Sequence, residues 1–313
     1  MKMDINYHIP SFTDHYSLNL LLIDYMKEKP EYFRDGVRIA SVFGAFPGSM
    51  WNGGRNVLGN YNAAFNQKVM EEFNSRGIPL RFTFTNPMIT EKHLSDKNCN
   101  EILKMAENGL NEVIVMSPMV EQYIRENYPK YKITSSTCKQ IRDMDGVNAE
   151  LEHDYSLVVL DYNWNNKFDM LEQVKDKGRC EILVNACCQP NCPRRGNHYT
   201  EIGKYQIDLC NAANSSIQIK NVMVDPFPCE FMNYDIYMLN KFQTYISPES
   251  IEKDYLPMGY NQFKLEGRTI ADIKLLEMYV HYMVKPEYQN RARLDMLTLL
   301  TGQIKHFNVM PKI

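Results

Sequence analysis

The sequence predicts a single (β/α)8 barrel of the TIM type, on the basis of three features of this 313-residue chain. First, short apolar segments rich in β-branched and aromatic residues alternate along the chain with longer segments of helical periodicity. Second, strands that alternate with helices form right-handed βαβ units, and eight such units close a barrel. Third, no G-x-G-x-x-G sequence follows a predicted strand, which weakens the open-sheet, dinucleotide-binding alternative.

The predicted strands number one more than a barrel needs. They are residues 37–43, 80–85, 112–116, 132–136, 156–160, 181–184, 217–224, 242–246 and 262–265. The segment 217–224 is the surplus strand, and we expect it to belong to an excursion from the barrel. Helices are predicted at 12–34, 61–76, 100–108, 120–127, 166–177, 200–213, 247–259 and 270–284.

Both ends of the chain are expected to lie outside the barrel. The helical spacing at 12–34 precedes the first predicted strand, so residues 1–36 are expected to form an N-terminal helical cap. The barrel is then assigned to residues 37–285, with a cysteine-bearing excursion at 187–240, and residues 286–313 are expected to be a C-terminal helical extension. No internal repeat or low-complexity linker divides the chain.

The composition excludes several classes of protein. Lys plus Arg number 35 and Asp plus Glu 38, so the net charge of −3 argues against a strongly basic nucleic-acid binder. No uninterrupted apolar run has the length of a transmembrane helix, and the first residues lack the apolar stretch of a signal peptide. We therefore expect a cytoplasmic protein without membrane association.

Polar residues recur where predicted strands end. In a (β/α)8 barrel the chemistry lies on the loops after the carboxyl ends of the strands. The residues at those positions are Trp51, Asn52, Arg55, Asn86, Ser117, Ser135, Asp161, Asn163, Asn185, Glu266 and Arg268. Arg268 is the expected main anion contact, because a guanidinium matches a carboxylate bidentately. Each of these residues taken alone could equally cap a strand end or a helix start.

Five of the eight cysteines are clustered, namely Cys187, Cys188, Cys192, Cys210 and Cys229. In a cytosolic chain such clusters more often bind metal or take part in catalysis than form disulfides. Adjacent residues in extended backbone point to opposite sides, so Cys187 and Cys188 are not expected to bind the same metal. We expect Cys188, Cys192, Cys210 and Cys229 to be the ligands, with Cys187 as the alternative to Cys188.

The spacing also bears on which metal is bound. Only the Cys188–Cys192 pair is local, which fits a [4Fe–4S] cluster gathered from separate loops better than the paired knuckles of a zinc site. Zinc is the alternative, and unligated core cysteines are the third interpretation.

Two stretches resemble the peptidase U32 superfamily. Residues 185–199 contain N-x-x-C-x3-C-P-x-R-x2-H-Y, and residues 245–268 contain Y-I-S-P-E-S-I followed by G-Y-N-Q-F-K-L-E-G-R. The resemblance covers about residues 155–285, although Ala186 and Cys187 stand where relatives often have Glu-Gly. It implies a TIM-type barrel with a [4Fe–4S] cluster on four cysteines. Family members include oxygen-independent hydroxylases of RNA bases and of quinone precursors, which take the hydroxyl from prephenate.

The resemblance implies a U32-like iron–sulfur enzyme that performs oxygen-independent hydroxylation or a related group transfer on a small-molecule or RNA-borne substrate. A protein partner is a further expectation. The candidate catalytic residues are Asn185, His198, Asp161 and Glu266, and the candidate substrate-binding residues are Arg268, Arg55, Asn86 and Arg195. One alternative is a peptidase or other hydrolase that uses Asp161, His198 and Glu266. Another is a non-enzymatic iron–sulfur or zinc-binding partner protein, against which the polar barrel mouth argues.

Overall fold

Eight parallel strands form a closed barrel in chain order. The computed structural model describes residues 4–186, 188–214 and 236–303. The strands are β1 (Ile5–Pro10), β2 (Val37–Gly44), β3 (Leu80–Phe84), β4 (Glu112–Val115), β5 (Lys132–Ser135), β6 (Leu157–Val159), β7 (Cys180–Leu183) and β8 (Gln262–Lys264). Strand β8 pairs with β1, opposing Lys264 to His8, and this pairing closes the barrel. The predicted barrel is confirmed.

Helices surround the barrel and connect successive strands. They are α1 (Tyr16–Glu28), α2 (Ala63–Asn74), α3 (Lys97–Ala106), α4 (Pro118–Asn127), α5 (Met144–Glu152), α6 (Phe168–Leu171), α7 (Arg195–Asn214), α8 (Pro248–Ser250), α9 (Leu256–Met258), α10 (Asp272–Met283) and α11 (Gln289–Gln303). A π-helical turn, Ile251–Tyr255, joins α8 to α9. None of the helices in the described part of the chain combines the length and hydropathy needed to cross a lipid bilayer.

The N-terminal segment belongs to the barrel, so the prediction of a helical cap over residues 1–36 is wrong. Residues Ile5–Pro10 form β1, which lies between β2 and β8. The apolar Ile5, Tyr7 and Ile9 alternate in β1 with polar residues and join the main hydrophobic core. Helix α1 is therefore the ordinary connection between β1 and β2.

One further predicted strand differs from the structure. Residues 242–246 are not a strand, because β7 pairs directly with β8 and leaves no place for a strand between them. Instead the Ile246 amide donates to the Val184 carbonyl at 2.9 Å. The predicted strand at 217–224 lies outside the described residues. Helix α11 falls within the predicted C-terminal extension and packs on α1 and α10.

The inside of the barrel holds a buried charge network. Arg81 on β3 donates through Nη1 to Glu181 Oε2 on β7 at 2.5 Å, and Lys264 Nζ on β8 lies 3.0 Å from Glu181 Oε1. Burial raises the pKa of Glu181, but Arg81 and Lys264 outweigh it and hold this pKa far below its usual range. Burial lowers the pKa of the adjacent His8 to about 4, so His8 is neutral at pH 7. Glu181 thus forms ion pairs with two cations, Arg81 and Lys264.

Candidate functional site

Helix α7 lies across the mouth formed by the carboxyl ends of the strands. At its start, Arg195 binds Asp161, which follows β6. In its middle, the Gly203 carbonyl accepts a hydrogen bond at 3.0 Å from Asn86 Nδ2, which follows β3. One turn later, Gln206 Oε1 accepts from the amide of Val57 in the loop after β2. These contacts hold α7 on opposite sides of the barrel, so the helix encloses the space above the strands.

Arg195 anchors the start of α7, and each nitrogen of its guanidinium donates a hydrogen bond to a protein oxygen. Its Nη1 lies 2.6 Å from Asp161 Oδ2, its Nε donates to the Tyr199 hydroxyl at 2.9 Å, and its Nη2 donates to Thr137. The guanidinium also lies 3.9 Å above the Tyr162 ring. Arg195 and Asp161, predicted as substrate-binding and catalytic residues, therefore form a buried structural ion pair here.

Arg268 is oriented into the mouth by neutral oxygen atoms. Its Nη1 donates to Thr83 Oγ1 at 3.1 Å and to Asn52 Oδ1 at 3.3 Å, and its Nη2 donates to the Gly53 carbonyl at 3.1 Å. No carboxylate among the described residues forms an ion pair with this guanidinium. Burial, and then the nearby positive charge of Arg55, lower the pKa of Arg268 to about 10. Arg268 is thus a pre-oriented cation without an ion-pair partner among the described residues, and the nearby Glu266 carboxylate offsets only part of its charge.

Arg55 and Glu266 form an ion pair at the rim of the same space. The Arg55 side chain is 40% exposed and that of Glu266 is 27% exposed, so both can be reached from solvent. Asn52, which is fully buried, links this pair to Arg268, because its Nδ2 donates to the Arg55 carbonyl at 2.7 Å. The structure therefore brings the predicted residues Arg55, Glu266 and Arg268 together.

Two predicted asparagines bind backbone groups of the barrel. The Asn185 side chain donates to the Glu266 carbonyl at 2.9 Å and accepts from the Glu266 amide at 2.6 Å, so it joins the ends of β7 and β8. Asn86 donates to the Met50 carbonyl in addition to Gly203. Both side chains are buried, and these contacts position the mouth rather than point to a reacting group.

The residues predicted as acid and base are held separately. Asp161 binds Arg195, whereas Glu266 binds Arg55, so each carboxylate has a different arginine as its partner. His198 lies half-buried in the first turn of α7, where its amide donates to the Arg194 carbonyl. These contacts do not favour a hydrolase built on the three side chains.

Cys188 and Cys192 lie together after β7. The Cys188 side chain packs against Tyr162, Leu183 and Ala186. Burial raises the pKa of the Cys188 thiol, and the neighbouring Cys192 raises it further.

Cys210, the third predicted ligand that the structure describes, belongs to the main hydrophobic core. Its Sγ accepts a hydrogen bond from Gln206 at 3.7 Å, and burial raises its pKa to about 12. Within residues 4–186, 188–214 and 236–303, no three His, Cys, Asp or Glu side chains form a group that could hold a metal. Cys187 and Cys229 lie outside those ranges. The described cysteines therefore do not fit a four-cysteine cluster that includes Cys210.

Cys138 and Thr83 also border the mouth, although the sequence interpretation leaves them out. A Cβ atom added to Gly54 would lie 2.9 Å from Arg268 Nη2 and 3.8 Å from Cys138 Sγ, so both groups border this glycine. Gly54 has a φ of +73°, which favours glycine there. Cys138 follows the predicted strand 132–136, so the rule that selects residues after strand ends could have identified it.

Comparisons with known proteins agree with this fold. Residues 53–184 match the model of peptidase family U32. A solved structure described as the U32 peptidase Mk0906 aligns with a TM-score of 0.51 and 11% identity, covering 87% of this chain and 96% of that one. The spore cortex-lytic enzyme SleL of Bacillus cereus aligns over 86% of this chain and 72% of its own, at 9% identity and a TM-score of 0.39, too low to support an argument. None of the curated proteins compared matches the chain.

The matched segment differs from the stretches that carry the sequence resemblance. It includes Arg55, Asn86 and Asp161 and ends at Val184, before the clustered cysteines and Arg268. At 11% identity, the solved U32 structure shows a shared fold alone. The family model thus matches less than half of the 313-residue chain, and the solved structure adds a shared barrel fold.

Proposed function

We propose that the mouth of this barrel binds a small carboxylate-bearing molecule through Arg268. One observation carries the proposal: the Arg268 guanidinium is held in place by Thr83, Asn52 and the Gly53 carbonyl, all of them neutral. A cation without an ion-pair partner in a partly buried site is costly, and an anionic ligand would offset that cost. A carboxylate suits the planar fork of a guanidinium through two parallel hydrogen bonds.

The reaction we propose is hydroxylation or a related group transfer on a small or RNA-borne substrate, as the U32 resemblance implies. The position of α7 over the mouth supports an enzyme, because partial shielding from water strengthens polar contacts with a substrate. Binding of such a substrate is also compatible with a protein partner. The peptidase alternative receives no support from the geometry, because Asp161 and Glu266 are bound to different arginines.

Replacing Arg268 by Lys is expected to weaken binding of a carboxylate ligand by about 2 kcal/mol or more, roughly thirtyfold in Kd. The ammonium keeps the charge but loses the bidentate geometry. Calorimetric titration of the whole chain with lactate and with malate measures the effect. Arg179→Lys is the control, because Arg179 lies before β7 at the opposite end of the barrel. It also donates to three carbonyls, of Leu151, His153 and Tyr155, and in addition lies 3.6 Å from the Asp176 carboxylate. Equal losses in both variants would refute the proposal.

A metal analysis tests the iron–sulfur prediction and the position of Cys210. After anaerobic purification we expect bound iron and sulfide, with iron content strongly lowered by Cys188→Ser and by Cys192→Ser. Cys210→Ser is expected to keep the iron, because its thiol is part of the hydrophobic core. Iron, sulfide and zinc are quantified in each variant. If the reconstituted protein contains neither iron nor zinc, the metal hypothesis is wrong. Zinc without sulfide would favour a non-enzymatic scaffold.

A further inference from the structure

Lys264 is a buried amine close to the proposed carboxylate site. It belongs to β8, the strand that leads to Glu266 and Arg268. Its Nζ lies 4.0 Å from the centre of the Phe43 ring, and the Arg268 guanidinium lies 5.9 Å from the centre of the same ring. The two cationic groups therefore share one aromatic neighbour. The Lys264 side chain is 10% exposed, whereas those of Arg81 and Glu181 are fully buried.

The charges around Lys264 favour loss of its proton. Glu181 is shared between Lys264 and Arg81, and Arg81 is also 3.3 Å from Glu112. The nearby Arg268 adds a further repulsion on Lys264. An arginine keeps its proton in proteins, so the repulsion among these cations is relieved when the lysine loses its proton. Burial, against the attraction of Glu181 and with the repulsion of Arg81, lowers the pKa of Lys264 to about 8. A usable fraction of the amine is thus unprotonated and nucleophilic at neutral pH.

Lys264 keeps N–H donors that its hydrogen bond to Glu181 does not use. An ammonium group has three N–H donors, and in the described part of the chain Lys264 donates to a single acceptor, Glu181 Oε1. The remaining hydrogens have no acceptor there. A ligand carbonyl that reached Nζ from the mouth would meet an amine already fixed in place by Glu181 and Phe43.

We propose that Lys264 forms an imine with the carbonyl carbon of an oxo acid whose carboxylate is bound by Arg268. The neutral amine adds to the carbonyl carbon, and the carbonyl oxygen takes up a proton to give a carbinolamine. Loss of that oxygen as water, with the second proton of the amine, forms the C=N bond. The step needs no oxidant or reductant. This inference rests on the proposed function, because Arg268 must place the ligand.

Trapping with borohydride tests the imine. The whole chain is incubated with glyoxylate or pyruvate and sodium cyanoborohydride, which reduces an imine to a stable secondary amine. Intact-mass measurement followed by peptide mapping locates the adduct. We expect one adduct, on Lys264, formed at least tenfold less in Arg268→Lys. The variant Lys264→Met is expected to form no adduct. Mapping of the unaltered protein locates the adduct even if that variant fails to fold.

Lys139 provides the matched control. It is also partly buried, at 15% side-chain exposure, with its Nζ 2.7 Å from a carboxylate oxygen of Glu150 and 4.6 Å from the Tyr155 ring centre. Labelling of Lys139 to the same extent as Lys264, or labelling of Lys264 by acetone as fast as by pyruvate, would overturn the inference. Lactate, which has the carboxylate without the carbonyl, separates the two proposals. If lactate binds and pyruvate gives no adduct, the imine alone is overturned. If lactate does not bind, the carboxylate site is overturned as well.

Discussion

Replacing Glu181 by Gln is expected to lower the free energy of unfolding by about 3–5 kcal/mol. The carboxylate is fully buried and accepts from Arg81 through one oxygen and from Lys264 through the other. Gln has nearly the same shape, but its amide group would face one of the two cations with donors. The loss therefore comes from an uncompensated buried charge rather than from a cavity. Urea denaturation followed by circular dichroism measures the change.

A second substitution separates charge from packing in this network. Lys264→Met removes one of the two cations, so the double variant Glu181→Gln/Lys264→Met is expected to recover part of the lost stability. Glu152→Gln is the control for loss of an ordinary carboxylate, because its pair with Lys175 is exposed and is expected to contribute less than about 1 kcal/mol. A Glu181→Gln protein as stable as the control would show that the network is not a stabilising core.

The fold was largely predictable because strand-like and helix-like segments alternate in the sequence of each βαβ unit. The strand that the prediction missed shows where this pattern is insufficient. Segment Ile5–Pro10 has the period-2 alternation of a strand, with Asn6 and His8 between apolar residues. It contains a polar residue at each inward position because the interior here is charged. The opposite error, at 242–246, arose because an apolar run packs equally well as a loop once β7 and β8 are neighbours.

The candidate site was predictable only where strand ends determine position. Arg55, Glu266 and Arg268 meet because the carboxyl ends of the strands converge at one mouth. The partners of Arg195 and Cys210 depend on distant residues that no local pattern reveals. Arg195 finds Asp161, which lies 34 positions earlier in the chain, and a cysteine such as Cys210 packs as a small hydrophobe as readily as it binds metal.

Removing the Asp161 carboxylate is expected to release the start of α7 and to cost about 3–5 kcal/mol of folding free energy. In Asp161→Asn the buried Arg195 would keep its charge between the rings of Tyr162 and Tyr199 without a carboxylate partner. Because the Asp161–Arg195 pair holds the start of α7 over the mouth, the first turns of the helix should also lose protection in amide hydrogen exchange. Exchange of the α7 peptides and urea denaturation of the same variant measure the two effects.

The same helix offers an exposed pair as control. Glu201 and Lys204 lie 2.9 Å apart with side chains 38% and 52% exposed, so Glu201→Gln is expected to change stability by less than about 1 kcal/mol. Arg195→Met combined with Asp161→Asn removes both charges, and should be more stable than Asp161→Asn alone if the penalty is electrostatic. Equal exchange protection of α7 in Asp161→Asn and Glu201→Gln would mean that Asn86 and Gln206 suffice to hold the helix. In that case the Asp161–Arg195 pair would not be what keeps the mouth enclosed.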